Sequence, residues 1–333
     1  MWRVFLSILF GCLPLWLTST SYALEINVTG FTGHPDQAAA LAAFERGASQ
    51  WETRIADPIT VDIMADFGSI GGAAQASFFL TGTGYSTVRN AMVADAAADS
   101  SPNDGIVSFL PTNITFDAAS GTLNNPNVFM TRPNARALGF STTTGDDGTI
   151  TFSSSLSWDY DNSDGVSGFD FESVAAHEIG HILGFADNTG GDSAFAMDLF
   201  RFHRVNNNPA TVSDFTNFNR ELREERDTAF DIVTTELRHS FTSGTDPGAD
   251  GFSPAHWYNA GPGNEIGAMD PQIVNNTIVP VSENDLLLLD VIGYGIVAVP
   301  EPSSVMLAAV GLLGVAFFCW RRRSRLITEA VNR

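Results

Sequence analysis

The chain has 333 residues, 44% apolar and 17% charged, with a formal net charge of −21. That balance suits a packed globular body of one large or two smaller domains and not a disordered chain. So acidic a surface argues against nucleic acid or an anionic membrane surface as partner. All 17 basic residues are arginines, and six of them (Arg3, Arg321, Arg322, Arg323, Arg325, Arg333) lie in the terminal segments, so the body between is more acidic still. The two cysteines, Cys12 and Cys319, also fall in those segments. A disulfide framework and a thiolate-bound metal are therefore excluded from the body, where a metal must take His, Asp or Glu.

Residues 1–23 read as a secretory signal. Arg3 precedes a largely apolar run from Val4 to Leu17, and Ser21-Tyr22-Ala23 presents small residues at a cleavage site. The run is shorter than the roughly 20 residues an anchor helix needs. Ile26 to Val28 predicts a strand. Pro35 suits the first turn of a helix whose apolar face is Leu41, Phe44, Ala48, Trp51 and Ile55. Alternation from Ile59 to Phe67 predicts a strand with one buried face. A Gly-rich stretch (Gly68, Gly71, Gly72) leads to a helix over Tyr85–Ala97 capped at Ser86. Residues 99–148 predict short strands and loops, and Thr149 to Trp158 another alternating strand. The acidic loop Asp159–Gly165 has the composition of a calcium loop but not its register. A polar turn is the preferred reading there, with Ca2+ the lesser one.

The organising stretch is Ala175-Ala176-His177-Glu178-Ile179-Gly180-His181-Ile182-Leu183-Gly184. Residues i and i+4 share a helical face, so His177 and His181 can reach one ion. Glu178, offset by about 100°, can hold a metal-bound water without ligating the metal. A catalytic zinc wants about three protein ligands and an open position. His34, His203 and His239 suit surface or structural roles. That leaves two rivals for third ligand, Asp187 just after Gly184 and His256 beyond an inserted segment over 185–255. Both side-chain types bind zinc, so ligand chemistry does not separate them. Within 185–255 a charged helical run is expected near Asn219 to Asp231. The body closes on Gly267-Ala268-Met269-Asp270-Pro271 and a final helix capped by Ser282, with Asp285 three residues on, ending at Gly293.

His177-Glu178-x-x-His181-x-x-Gly184 with a later Met in a turn resembles the metzincin clan of zinc endopeptidases. In that clan the third ligand usually follows the glycine by three residues, where this chain has Asp187. The leishmanolysin branch instead inserts a long segment and returns a His-Trp pair shortly before the Met-turn. His256-Trp257 followed by Met269 is similar to that pattern, so the resemblance implies zinc on His177, His181 and His256, with Met269 beneath it. Met197 is the alternative turn methionine if Asp187 is the ligand. The implied fold is α+β: a twisted mixed sheet with an active-site helix over 24–184, and a C-terminal subdomain over 185–298 carrying the third ligand, Met-turn and terminal helix. The implied activity is hydrolysis of protein or peptide substrates by a zinc-activated water, with Glu178 as general base and the Thr149–Trp158 strand as the substrate-binding edge. The rival is a non-catalytic surface or matrix protein with a structural or degenerate metal site.

The tail at 299–326 has Pro300-Glu301-Pro302, an apolar run from Ser303 to Trp320 just long enough to span a bilayer, and an arginine cluster. It resembles the PEP-C-terminal (PEP-CTERM) sorting signal of Gram-negative bacteria. That resemblance implies an exported protein, transiently membrane-anchored, recognised by an exosortase-type enzyme and delivered to the envelope or matrix.

Overall fold

In the computed structural model, residues 24–98, 104–203, 209–224, 228–230, 239–241, 252–259, 261–297 and 311–313 are described. The expected signal at 1–23 and nearly all of the tail at 299–326 lie outside them. Among the described residues no helix is long and apolar enough to cross a membrane. The first part of the chain runs β1 (Glu25–Gly30), α1 (Gln37–Glu52), β2 (Thr60–Gly68), β3 (Ala74–Phe78), β4 (Leu80–Gly84), α2 (Tyr85–Ala98), β5 (Thr115–Ala118), β6 (Gly121–Asn124), β7 (Asn127–Thr131), α3 (Arg132–Ala137), β8 (Gly148–Ser153), β9 (Trp158–Asp159), β10 (Phe169–Asp170) and α4 (Phe171–Leu183). Then follow β11 (Ala194–Phe195), β12 (Arg201–His203), α5 (Val212–Asn217), β13 (Arg220–Glu221), β14 (Thr228–Phe230), β15 (His239–Phe241) and α6 (Glu283–Val291).

The fold is α+β, and its main sheet is mixed, in the order β1-β2-β8-β3. β1, β2 and β8 are parallel, with Ile26 opposite Val61 and Ala65 opposite Ile150, and β3 closes antiparallel, with Ala76 opposite Ile150. In β2 the expected alternation holds: Val61, Ile63 and Ala65 are buried and Met64 and Asp66 exposed. The buried side meets α1 and α4 through an aromatic cluster of Phe31, Phe44, Phe67, Phe152 and Phe171, in which Phe152 and Phe171 stack at 4.3 Å. That stack seats the start of α4 on β8. Three smaller sheets, β11-β7-β4, β13-β5-β6 and β12-β14-β15, flank it.

Several expectations from the sequence are corrected. β8 ends at Ser153; Ser155 N–H turns onto the Ser153 hydroxyl, and Trp158 starts β9, which pairs with β10. The 149–158 stretch is thus two strands. Nor is β8 an edge: it lies between β2 and β3, and the open edge belongs to β3, turned back by the Gly-rich stretch before it. The charged run from Asn219 is not helical where described. Arg220 and Glu221 are buried in β13, pairing with Phe116 and Asp117 of β5, and no apolar period exists there to give a helix a buried face. Pro35 lies in the turn before α1, which starts at Gln37, and α2 starts at Tyr85, so Ser86 falls inside its first turn.

α1 is what holds α4 from behind. Trp51 Nε1–H donates to the Ala176 carbonyl at 3.0 Å, and Glu172 accepts from Arg46 Nε at 2.9 Å and Gln50 Nε2 at 3.0 Å. The helices cross at Gly47, where a Cβ would stand 2.8 Å from the Glu172 carbonyl oxygen and 3.1 Å from the Ala176 nitrogen. The far end of the body is zipped to α1's exit: Ile55 bridges Ile296, Ala56 N–H donates to Gly295 at 2.7 Å and Val297 N–H to Arg54 at 2.8 Å. Gly47→Val is expected to lower the unfolding free energy by about 2–3 kcal/mol, since backbone atoms cannot yield to the added methyls as a side chain would. A denaturant titration that leaves the midpoint unchanged would refute this close approach.

Candidate metal centre

α4 begins where the Asp170 carboxylate accepts the Ser173 N–H at 3.1 Å, a side-chain N-cap. It ends at Gly184, whose φ of 149° turns the chain away. The Leu183 carbonyl accepts from the Tyr294 hydroxyl at 2.6 Å and the Thr131 hydroxyl at 3.2 Å. Both ends being fixed, the helix presents His177, Glu178 and His181 to one cleft of about 520 Å³.

His256 reaches the same point from across the inserted segment. The three Nε2 atoms form a near-equilateral triangle: His177–His181 3.2 Å, His181–His256 3.1 Å, His177–His256 3.2 Å. Each Nδ1 lies against a backbone carbonyl, His177 on Ala268 at 2.7 Å, His181 on Phe185 at 2.7 Å and His256 on Ser253 at 2.8 Å. Burial drives all three imidazoles to the neutral form, His177 down to about 3 and His256 well below its ordinary value, and His181 is lowered likewise. A neutral ring has one N–H, and the carbonyl claims it at Nδ1. The three Nε2 lone pairs then face one another with no proton among them, an arrangement that suits a cation. Tetrahedral zinc with Zn–N of about 2.0–2.1 Å places its nitrogens about 3.3 Å apart, close to this triangle, and leaves a fourth position open. The residues therefore fit the ion.

Asp187, the other candidate, lines the same cleft but stands outside the tight cluster of His177, His181 and His256. Its carboxylate accepts Thr189 N–H at 2.8 Å. Glu178 is buried beside the triad. Burial pushes its carboxyl up to about 8, against the pull of the Ala76 backbone N–H of β3. β3 also forms the cleft wall from Ala74 to Ala76 and at Phe78, opposite Val174, Pro271 and Ile273. Of the remaining histidines, His34 stacks on Phe67 at 4.0 Å and His203 lies in β12, both away from the cleft.

Met269 lies beneath α4. A Cβ on Gly180 would meet its Sδ at 2.3 Å, so only glycine lets the methionine in. Gly267-Ala268-Met269-Asp270 is a turn, with Asp270 N–H donating to the Gly267 carbonyl at 3.1 Å. Asp285 holds it: its buried carboxylate accepts from Ala268 N–H at 2.8 Å, Met269 N–H at 3.3 Å, Trp257 Nε1–H at 2.7 Å and Ser282 N–H at 2.7 Å. The sequence shows Asp285 only as part of the capping box of α6, which does form. The acidic loop folds as turns: Asp161 accepts Ser163 N–H at 3.2 Å and Asp159 accepts Ser167 N–H at 2.6 Å. Nothing here shows calcium.

A family model described as Matrixin matches residues 107–214, and one described as the PEP-CTERM protein-sorting motif matches residues 298–323. No curated protein and no solved structure matches the chain. The matrixins are a metzincin family, so the metzincin and PEP-CTERM resemblances read from the sequence hold, and the α+β fold agrees with the metzincin type. The matches indicate a metallopeptidase with zinc as its metal, and a sorting motif that marks exported proteins. The Matrixin match covers less than half of the chain. It contains His177, His181 and Asp187 but stops short of His256.

One carboxyl beside the Met-turn gives a pH signature. Burial, with Asp285 and Glu265 nearby, pushes Asp270 up to about 7, against the Ile266 N–H it accepts at 2.8 Å. Between the ordinary carboxylate range and pH 7 the folded group keeps a proton that the unfolded chain has lost. Stability falls as pH rises through that window and flattens above it. Asp270→Asn should remove this slope: in metal-free protein, its unfolding free energy relative to wild type should rise from pH 4 to pH 8. Parallel pH curves would refute the assignment.

Proposed function

We propose that the protein is an exported zinc-dependent metalloendopeptidase that hydrolyses peptide bonds of protein substrates. His177, His181 and His256 would hold the ion, and Glu178 is the general base. The observation that carries this reading is the convergence of the three Nε2 atoms, 3.1–3.2 Å apart, beside a buried carboxylate in an open cleft. Bound zinc supplies Lewis acidity, polarising a carbonyl and lowering the pKa of its water towards about 7. Glu178 takes the proton of the attacking water and returns it to the leaving amine.

The open edge of β3 is the place for an extended peptide, which would add to the sheet by main-chain hydrogen bonds. Such a strand would bring its scissile carbonyl past Glu178, because Ala76 of β3 already touches that carboxylate. Val174, Pro271 and Ile273 offer apolar contact to a side chain beside the bond. In this reading the chain divides at Gly184 into a subdomain that supplies two ligands and the base, and one over 185–298 that supplies the third. The tail acts as a transient membrane anchor that an exosortase-type enzyme recognises and removes.

Glu178→Ala is expected to keep its zinc and lose peptidase activity by about 10²–10⁴-fold, read by metal analysis and cleavage of an unstructured protein. A zinc-replete wild type that cleaves no protein would instead favour a structural site on a surface or matrix protein. His256→Ala should lose zinc and Asp187→Ala keep it. Equal retention in both would sink this ligand set.

A further inference from the structure

The inserted segment carries a buried ion pair that the chemistry above does not use. Asp198 and Arg201 are both fully buried, with Arg201 Nε 3.2 Å from Asp198 Oδ1. Arg201 Nη2–H donates to the Pro254 carbonyl at 2.7 Å, and its guanidinium lies 4.3 Å over the Phe241 ring. Phe241 in turn stacks on Trp257 at 5.3 Å with the rings nearly parallel. The other oxygen of Asp198 accepts Asn188 N–H at 3.1 Å and Phe195 N–H at 2.9 Å, closing the loop that leaves α4 past Asp187.

These contacts converge on His256. Pro254, held by Arg201, follows Ser253, whose carbonyl fixes the His256 ring through Nδ1. Trp257, on the other side, is held by Asp285 and by its own N–H to the Met269 carbonyl at 3.1 Å. The Ser253–Trp257 segment is thus clamped from the insertion by Arg201 and from the Met-turn by Asp285. A buried ion pair is weak evidence for stability, since desolvating two charges costs about as much as their attraction returns, and apolar replacements of whole pairs are often neutral. What a planar guanidinium does supply is fixed direction, with several donors in one rigid fork.

We propose that Arg201, oriented by Asp198, is a positioning residue for the third metal ligand: it seats the Ser253–Pro254 turn so that His256 Nε2 completes the triangle. The proposal rests on His256 being a ligand, and its test separates the two. Metal-free full-length protein is titrated with zinc ion against a chromophoric chelator, and its unfolding free energy is measured without metal. Asp198→Asn/Arg201→Met, which leaves no lone buried charge, should bind zinc about 10–100-fold more weakly, the range for loss of groups that orient a ligand. Its metal-free stability should match or exceed wild type. Cobalt substitution should show the wild-type tetrahedral visible bands weakened in the variant.

A folded double variant with wild-type zinc affinity would overturn the proposal. So would parallel losses of affinity and metal-free stability, which would make the pair part of the core and nothing more. Should the double variant not fold, Arg201→Lys keeps the charge beside Asp198 but cannot also reach Pro254. It should fold and bind zinc at least several-fold more weakly, and wild-type affinity there overturns the proposal as well. His256→Ala in the same titration is the control. If it keeps wild-type affinity, the ligand assignment itself has failed and the positioning role of Arg201 falls with it, whereas a loss there beside an unaffected double variant overturns the role of Arg201 alone.

Discussion

Everything around the cleft depends on where three protons are. Each imidazole of the triad gives its single N–H to a backbone carbonyl, so each turns a bare nitrogen toward the other two. Three lone pairs 3.1–3.2 Å apart repel one another, so bringing them together is costly. The fold accepts that cost because the carbonyls are set by structure that cannot easily move: Phe185 by the exit from α4, Ala268 by the turn under it, Ser253 by the far end of the insertion. The triangle is therefore a property of the body as a whole. No single segment could hold it.

Two kinds of restraint make this possible. One is the absence of side-chain atoms. Gly47 lets α1 lie against the backbone of α4, and Gly180 lets Met269 slide beneath it. The other is buried carboxylate. Asp285 gathers the N–H groups of Ala268 and Met269 and the indole of Trp257, so the cap of α6 and the floor of the centre are one network. The small residues set distance, and the carboxylates set direction.

The parts of this arrangement written at fixed spacing were legible in the sequence. His177 and His181 share a helical face by arithmetic alone, and β2, α1 and α6 follow from their apolar periods and caps. His256 could be chosen only because Trp257 and Met269 accompany it in a known pattern, since it lies 75 residues beyond His181 with no periodic signal to link them. β3 was not singled out. Ala74-Gln75-Ala76-Ser77-Phe78 alternates apolar and polar, but its apolar side is mostly alanine and it has no β-branched residue, so the signal is weak and the strand forms because β8 offers it a free edge. The same holds for Arg220 and Glu221, where tertiary burial overrides the start of a run that reads as a polar helix. Arg201 and Asp198 did leave a trace, an opposite-charge pair three residues apart in the otherwise apolar stretch Phe195–Phe202. Nothing local said that their charges would be buried or that one would reach Pro254.

The bonding of Val297 to Arg54 bears on how such a chain is made and released. Among the described residues the last hydrogen bond of that closure is the one from Val297, and the matched sorting motif begins at 298. Val297 is held by Arg54, just after the end of α1. A cut anywhere in the motif would take no hydrogen bond of that closure with it. The fastening that ties the end of the described body to its beginning therefore uses no atom of the matched motif.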